Sequence, residues 1–273
     1  MLESIVSEAP VFLLVASRTF AFILTLPLFS SRNISRIAKL ALTGYMAYFI
    51  FPQVSLISGS FAPYADYIQS DGSFTLEYVL LLLGEGLIGI VLGFFIQIIF
   101  ASFSTAGQFF AFQMGFSAAE AYDSLNQVEN PLMGQYLNLI AMLIFLQNHW
   151  FQELFLGGLV TSFKSLNAFA IVNHSEELMH FMLSGLSSLF VNAFTIALPI
   201  MATLFLINVT VGILAKAAPQ MNLLSEGFPI LMLTSFFVIT QLMPYMCEFF
   251  TSSFVQGFHQ MERLFLRLGG QIL

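Results

Sequence analysis

Charge is scarce in this sequence. Only 8% of its 273 residues are Asp, Glu, Lys or Arg, whereas 58% are hydrophobic and 15% are aromatic. Soluble domains carry about 25% charged residues, so this composition argues against a soluble globular protein. With a mean hydropathy of +0.87, the chain is predicted to be a membrane protein.

Basic residues are especially few. Eight Lys and Arg stand against fifteen Asp and Glu, for a formal net charge of -7. Nucleic-acid binding requires bases clustered on one surface, and no such cluster is visible, so we expect no nucleic-acid partner. The first ten residues carry Glu3 and Glu8 where a secretory signal would carry bases, so the first apolar stretch is expected to stay as a structural helix.

Cysteine and catalytic motifs are also lacking. Cys247 stands alone, which excludes an internal disulfide and a multi-cysteine metal site, and we interpret it as a small buried hydrophobe. The four histidines lack the HExxH spacing, and the sequence contains no GxSxG run, no intramembrane aspartate pair and no GxxxxGK[ST] run. We therefore predict a protein that is not an enzyme and has no catalytic residues, no cofactor and no metal.

Long apolar runs make up most of the chain. A hydrocarbon core about 30 Å thick needs about 20 helical residues at about 1.5 Å each. That ruler predicts an all-α, polytopic membrane-type fold of about six long apolar helices, arranged as kinked hairpins. They cover residues 9 to 30, 37 to 58, 77 to 102, 133 to 162, 186 to 215 and 228 to 251. The polar run from Gln147 to Trp150 predicts either a kink in the fourth segment or a joint between two shorter helices.

The few bases predict an orientation. Arg32, Arg36 and Lys39 follow the first segment and indicate a cytoplasmic turn there. Alternation then puts Arg263 and Arg267 outside, against the same rule. We interpret this conflict as a sign that some segments do not face lipid.

Two charges lie inside apolar segments, Arg18 in the first and Glu85 in the third. A charge at the centre of a membrane helix costs about 2.5 to 3.5 kcal/mol on insertion scales, so each is predicted to face protein or water. Either charge could line a pathway or join a specific inter-helix pair. An equally good alternative is a charge near a helix end that snorkels or contacts backbone, and the sequence gives no ground for pairing Arg18 with Glu85.

Glycines form a stripe in the third segment. Gly86, Gly89 and Gly93 follow one another at spacings of three and four, which puts them on one helical face. Such a face allows another backbone to approach closely. We expect tight packing there, against this chain or a partner.

Residues 107 to 116, GQFFAFQMGF, combine bulky and polar side chains between two glycines. In one interpretation they are ordinary helix packing. In the other, the glycines let the backbone turn or re-enter, which at membrane depth requires burial in protein or a cavity wall, and the bulky side chains close a pore. The candidate residues are Gly107, Gln108, Phe109, Phe110, Phe112, Gln113, Met114, Gly115 and Phe116.

Several motifs, taken in order, resemble one family. They are SRNISRIAKLAL, GEGLIGIVLGFFIQIIFASFSTAGQFFAFQMGFS, FLGGLVTSF, ALPIMATLFLINVTVGILAKAAPQMN and EGFPI. The collinear set covers most of the chain and resembles the R-subunit family of the type III secretion inner-membrane export gate, whose flagellar members are called FliR. The resemblance favours the flagellum over a virulence-type injectisome.

The resemblance implies a structural and gating subunit of the flagellar type III protein export gate in the bacterial inner membrane and flagellar basal body. With several copies each of P and Q subunits it would form the conduit that exports unfolded flagellar proteins. Residues 1 to 185 would be P-subunit-like and contain a plug loop at about 106 to 122, formed by the candidate residues above. Residues 186 to 273 would be a Q-subunit-like hairpin and tail.

The same resemblance assigns a cytoplasmic turn, formed by Lys216, Pro219, Gln220 and Asn222. It would lie near the export-switch subunit and the large export-gate ring protein. The chain departs from the family pattern at Asp123, which Ser124 follows in place of proline. The C-terminal limit of the plug is therefore left open.

Two other functions are compatible with the composition. A polytopic small-molecule transporter would have a midplane site and often an internal repeat, and no repeat is visible. A purely scaffolding membrane protein would use residues 107 to 116 for packing alone.

Overall fold

The computed structural model describes residues 2–30, 34–54, 56, 59–68, 74–115, 132–217 and 223–268, and in these ranges the regular structure is helical. The helices are α1 Leu2–Thr25, α2 Pro27–Ser30, α3 Arg36–Ile50, α4 Leu76–Gln113, α5 Leu132–Gln147, α6 Trp150–Ser165, α7 Ala168–Asn173, α8 Ser175–Ala217 and α9 Leu223–Leu268. Helix α6 contains a π-helical stretch at Leu154–Val160, and short 3-10 turns cover Phe51–Gln53 and Ala62–Tyr67. The predicted all-α, polytopic membrane-type fold is confirmed.

The described residues contain fewer long apolar helices than the prediction of about six. Among the described residues four helices are long and apolar enough to cross a membrane, and five if α5 and α6 together form one broken span. The predicted segment at 37 to 58 contains only α3, whose 15 residues rise about 22 Å and fall short of the hydrocarbon thickness. Helix α3 gives way to a 3-10 turn at Pro52, which has no N–H to continue the helical ladder.

The polar run after α5 forms a joint between two helices. Helix α5 ends at Gln147 and α6 begins at Trp150. Between them His149 adopts a left-handed backbone with φ of 57°, and the side-chain amide of Asn148 donates to the Ile144 carbonyl at 2.8 Å. Of the two predicted alternatives, two shorter helices meeting at a polar joint is confirmed.

Three helices are much longer than the apolar segments that were predicted for them. Helices α4, α8 and α9 contain 38, 43 and 46 residues, or about 57, 65 and 69 Å at 1.5 Å per residue. In α8 the charges suit the helix dipole, because Glu176 and Glu177 lie in its first turn and Lys216 in its last. Each of the three helices is about twice as long as a hydrocarbon core is thick.

The chain divides into two compact units. The first contains Met1–Ile98, His149–Gly185 and Gln256–Leu273, and the second contains Ile99–Asn148 and Leu186–Val255. The units alternate along the chain. The division at residue 185 into P-like and Q-like parts concerns resemblance, and it stays a prediction.

In the first unit, α4 packs closely on α1 through the glycine stripe. A methyl group at Gly89 would strike the Arg18 carbonyl oxygen, and one at Gly93 would strike the Thr25 side chain. Gly86 lies against the Ser17 hydroxyl. The stripe therefore does what its spacing predicted, within this chain.

Phenylalanines fill the second unit. The Phe250 ring meets the rings of Phe100 and Phe103 edge-on, at centroid distances of 5.4 and 4.7 Å. Phe145 meets Phe100 at 5.4 Å and Phe254 at 5.2 Å. These separations and angles are the favourable T-shaped geometry of aromatic pairs, and all five side chains are buried.

Candidate functional site

Arg18 and Glu85 form a buried ion pair in the first unit. Both side chains are 0% exposed, and the Arg18 Nη2 lies 2.6 Å from the Glu85 Oε2. The Arg18 Nε also donates to that oxygen, at 2.7 Å. Two N–H groups on one carboxylate make a short, charge-assisted contact. The sequence left several interpretations of these two charges open, and the structure shows one of them, the specific inter-helix pair.

Backbone and hydroxyl groups take up the remaining hydrogen bonds of Arg18. Its Nη1 donates to the Ser162 hydroxyl at 3.2 Å, and its Nη2 to the Leu166 carbonyl at 2.9 Å. The guanidinium carbon also lies 4.2 Å from the ring centroid of Phe163 and 5.8 Å from that of Phe61. These are cation–π distances.

Tyr64 completes the surroundings of Glu85. Its hydroxyl donates to the Glu85 Oε1 at 2.6 Å and accepts the N–H of Ala168. Burial and the neighbouring carboxylate raise the pKa of Tyr64 above its ordinary value, so the hydroxyl stays protonated and continues to donate. We call Arg18, Tyr64, Glu85 and Ser162 the Arg18 cluster.

The Arg18 cluster ties distant parts of the chain together. It joins α1, α4, α6 and the 3-10 turn at Ala62–Tyr67 through contacts to all three nitrogens of Arg18 and both carboxylate oxygens of Glu85. Both charged side chains are 0% exposed, so neither can contact a solute. The Arg18 cluster therefore fixes the relative positions of these elements inside the first unit, and it does not line a pathway.

Residues 107 to 113, the first part of the glycine-framed segment, are helical. Helix α4 continues to Gln113, so the loop expected from residue 106 begins later than predicted. Gly107 does not turn the chain. It lies in a helix crossing, where an added methyl would come within 2.8 Å of the Gly134 backbone. Gly115 does turn the chain, with φ of 83°, as glycines do after a helix end.

The bulky side chains of the segment have different surroundings. Phe110 and Met114 are 0% exposed, so they belong to the core of the second unit. Phe109 stacks on Phe194 with a centroid distance of 4.6 Å. Phe112 is 74% exposed, and Phe116 lies outside the described residues. Among the described aromatic and methionine side chains of the segment, Phe112 is the one available to fill an adjacent space.

The two glutamines of the segment also differ. Gln108 is exposed and lies near Gly134, whereas Gln113 is half-buried. In the predicted cytoplasmic turn, Lys216 is exposed in the last turn of α8. Pro219, Gln220 and Asn222 lie outside the described residues.

Sequence reasoning missed Tyr64 and Ser162. Tyr64 follows Pro63 in a stretch that reads as an exposed turn, and Ser162 lies in an ordinary apolar segment. The signal that could have found them is the cost of a buried charge: Arg18 and Glu85 require hydrogen-bond partners wherever they are buried. In the described part of the chain, no group of three or more His, Cys, Asp or Glu side chains is placed to hold a metal ion.

The chain matches known proteins over most of its length. The family model described as Bacterial export proteins, family 1, matches residues 9–257. The flagellar biosynthetic protein FliR of Bacillus subtilis is 30% identical over 240 residues, 87% of this chain and 88% of that protein. FliR of Escherichia coli is 29% identical over 245 residues, 89% of this chain and 87% of that protein. The surface presentation of antigens protein SpaR of Shigella flexneri is 28% identical over 173 residues, 62% of this chain and 64% of that protein.

Proposed function

The chain belongs to the bacterial export proteins of family 1, and on that premise we propose that it is a structural and gating subunit of the flagellar type III protein export gate. It would work in the bacterial inner membrane, in the flagellar basal body. The relatives that cover nearly the whole chain are flagellar proteins, whereas the SpaR match covers 62% of it. The flagellar system is therefore the better supported of the two.

The observation that carries the proposal is the length of exposed apolar surface on α8. It extends from Met179, 64% exposed, to Leu214, 50% exposed, a distance of about 52 Å along the helix. Between these ends α8 exposes further large apolar side chains, among them Leu183, Phe190, Val191, Phe194, Leu198, Phe205, Leu206 and Ile213. Exposed large apolar side chains thus recur along about ten turns of α8.

A bilayer is too thin to cover that surface. Even at a tilt of about 40°, a hydrocarbon core of about 30 Å contains only about 39 Å of helix. About 13 Å of the exposed apolar surface of α8 remains beyond it. We infer that other protein chains cover this remainder, because large exposed apolar patches mark interaction sites. The geometry favours a subunit of a larger helical assembly over a free-standing transporter.

The resemblance supplies the identity of those chains. They would be several copies each of P and Q subunits, which with this chain form the conduit for unfolded flagellar proteins. The export-switch subunit and the large export-gate ring protein would contact the cytoplasmic turn near Lys216. The chain has no Walker-type nucleotide motif, so other components would supply the energy.

The composition of the purified complex tests the assembly. Affinity purification of the tagged full-length chain, followed by native mass spectrometry, should give a defined complex with several copies of two smaller membrane proteins. A stable, solitary monomer would overturn the proposal. If that monomer also bound a small solute, the transporter would become the better reading.

The plug is the finer part of the proposal. Gly107 to Phe116 would obstruct the closed conduit, with Gly115 permitting the turn after α4 and Phe112 as the leading obstructing side chain. Support comes from the 74% exposure of Phe112 and from the way that bulky apolar side chains close pores. Phe110 and Met114 would instead hold the segment in place from within the second unit.

Ion leakage through the assembled gate tests the plug. Phe112→Ala should make cells expressing the complete gate leak potassium, because the obstruction is removed while the core is left intact. Phe237→Ala, which truncates a side chain on α9 that is 65% exposed, should leave permeability unchanged. If both variants assemble and neither leaks, Phe112 does not obstruct the conduit.

A further inference from the structure

An open polar cleft lies in the first unit, between the first turns of α8 and the last turns of α9. Its volume is about 500 Å³, within the range of small-ligand sites. We call it the basic cleft. It is lined by Glu177, His180, Phe181, Ser184, Gln260, Arg263, Leu264 and Arg267.

Two arginines dominate the charge of the basic cleft. Arg263 and Arg267 are four residues apart in α9 and therefore lie on one helical face. Both are exposed, and within the described part of the chain neither has an ion pair or hydrogen bond. In the same unit, by contrast, every nitrogen of the Arg18 guanidinium has a partner. The two guanidinium groups thus present up to ten N–H donors to an incoming acceptor.

Nearby carboxylates are engaged elsewhere. The Glu177 Oε2 lies 2.6 Å from the Nδ1 of His174, and the Glu262 Oε2 lies 3.1 Å from the Nδ1 of His259. Both pairs have a spacing of three residues: His259 and Glu262 lie within α9, and His174 directly precedes α8. Glu177 lines the cleft and offsets one arginine, so two arginines against one lining carboxylate leave the cleft with net positive charge.

Both polar and apolar groups line the rest of the cleft. Phe181 and Leu264 are 9% and 5% exposed and give it an apolar base. Ser184, Gln260 and His180 add further hydrogen-bonding groups. Immediately beside the cleft, α8 exposes Leu183. Phosphate recognition by arginine next to an apolar surface is the chemistry of a lipid headgroup with its acyl chains.

We propose that the basic cleft binds a phosphate-type oxyanion, as the headgroup of an anionic phospholipid or as free phosphate. Arginine forks match phosphate oxygens two at a time, and basic pockets between membrane helices bind anionic headgroups. The cleft lies at one end of two apolar helices, where Ser175–Leu214 begins and Pro229–Leu268 ends, so it is open to a lipid headgroup when that end of α8 lies at the membrane surface. Anion binding would also give Arg263 and Arg267 a function, although the predicted topology puts them on the side where the positive-inside rule expects few bases.

The test uses the full-length chain in detergent micelles, as purified with its complex. Phosphatidylglycerol, phosphatidylcholine and inorganic phosphate are titrated separately, and binding is measured by native mass spectrometry and by the rise in melting temperature. We compare the wild type with Arg263→Gln/Arg267→Gln. The matched control is Arg36→Gln/Lys164→Gln, which removes two exposed bases outside the cleft.

The expected result is at least tenfold weaker phosphatidylglycerol binding in the cleft variant, with the control variant equal to the wild type. Binding of phosphatidylglycerol alone identifies a lipid as the source, and equal arginine-dependent protection by inorganic phosphate identifies the free ion. Equal binding of phosphatidylcholine, or no loss in the cleft variant, overturns the proposal. Arginine-dependent binding of a polyglutamate peptide without phosphatidylglycerol binding would also overturn it, in favour of an acidic protein partner. Unliganded melting temperatures should agree among the three proteins, because all four replaced side chains are exposed.

Discussion

Among the described residues, Arg18 is the bulkiest fully buried side chain of the first unit, whereas the interior of the second unit is occupied by phenylalanines such as Phe145 and Phe250. An ion pair is directional and leaves a severe penalty when one partner is lost. Aromatic packing is adaptable, since a neighbour can relax into part of the vacated space. The first unit should therefore tolerate fewer substitutions at its centre, and its geometry should be the more sharply specified.

The largest expected effect is on the Arg18 cluster. Arg18→Met leaves the Glu85 carboxylate buried without its cation, which should lower the free energy of unfolding by roughly 3 to 5 kcal/mol. Thermal unfolding in detergent measures it. Arg18→Met/Glu85→Gln removes both charges and keeps an acceptor for Tyr64, so it should recover most of the loss. Equal destabilisation of the single and double variants would contradict the importance of charge pairing.

The next largest effect is expected for Tyr64→Phe, which should lower the free energy of unfolding by about 1.5 to 3 kcal/mol. The buried carboxylate loses a hydrogen bond, and the Ala168 N–H loses its acceptor. Urea unfolding checks this. The raised pKa of Tyr64 adds a pH test: above about pH 10 unfolding releases its proton, so wild-type stability declines with pH. Tyr64→Phe should decline less steeply, and identical slopes would show that Tyr64 does not titrate in this way.

Close helix contacts provide a test in both units. Gly89→Ala in the first unit and Gly107→Ala in the second should each cost about 1 to 3 kcal/mol, because the added methyl meets backbone atoms that cannot easily move. Gly212→Ala is the control. Nothing lies within 4 Å of a methyl group there, so higher helix propensity should stabilise it slightly. Melting temperatures of all three variants decide the matter, and a stable Gly89→Ala would show that α1 and α4 can separate locally.

Phe250→Leu should have the smallest effect and lower the free energy of unfolding by about 1 kcal/mol. Leucine keeps most of the buried apolar volume, and the edge-to-face contacts with Phe100 and Phe103 are lost. The same unfolding assay applies. If Phe250→Leu destabilised the protein as much as Arg18→Met, the phenylalanine core would tolerate substitution no better than the ion pair.

Several features could be read from residue order because they depend on neighbours a few positions apart. The joint at Asn148 and His149 was visible as a polar interruption, and the stripe through Gly89 followed from helical spacing alone. The limits of α3 and α4 were not predicted well. Helix α3 ends before Pro52, and α4 stays helical through Gly107, where it lies close to a neighbouring helix, in a segment that looked suited to a turn.

The sequence by itself determined that this is an all-helical membrane-type chain, because continuous apolar runs of about 20 residues satisfy their backbone groups in lipid as helices. It also identified Arg18 and Glu85 as charges that have to face protein or water instead of lipid. Tertiary structure decided that they shelter each other across 67 positions in the chain, with Tyr64 and Ser162 as further partners. Such partners depend on which distant segments pack together, and no local pattern encodes that choice.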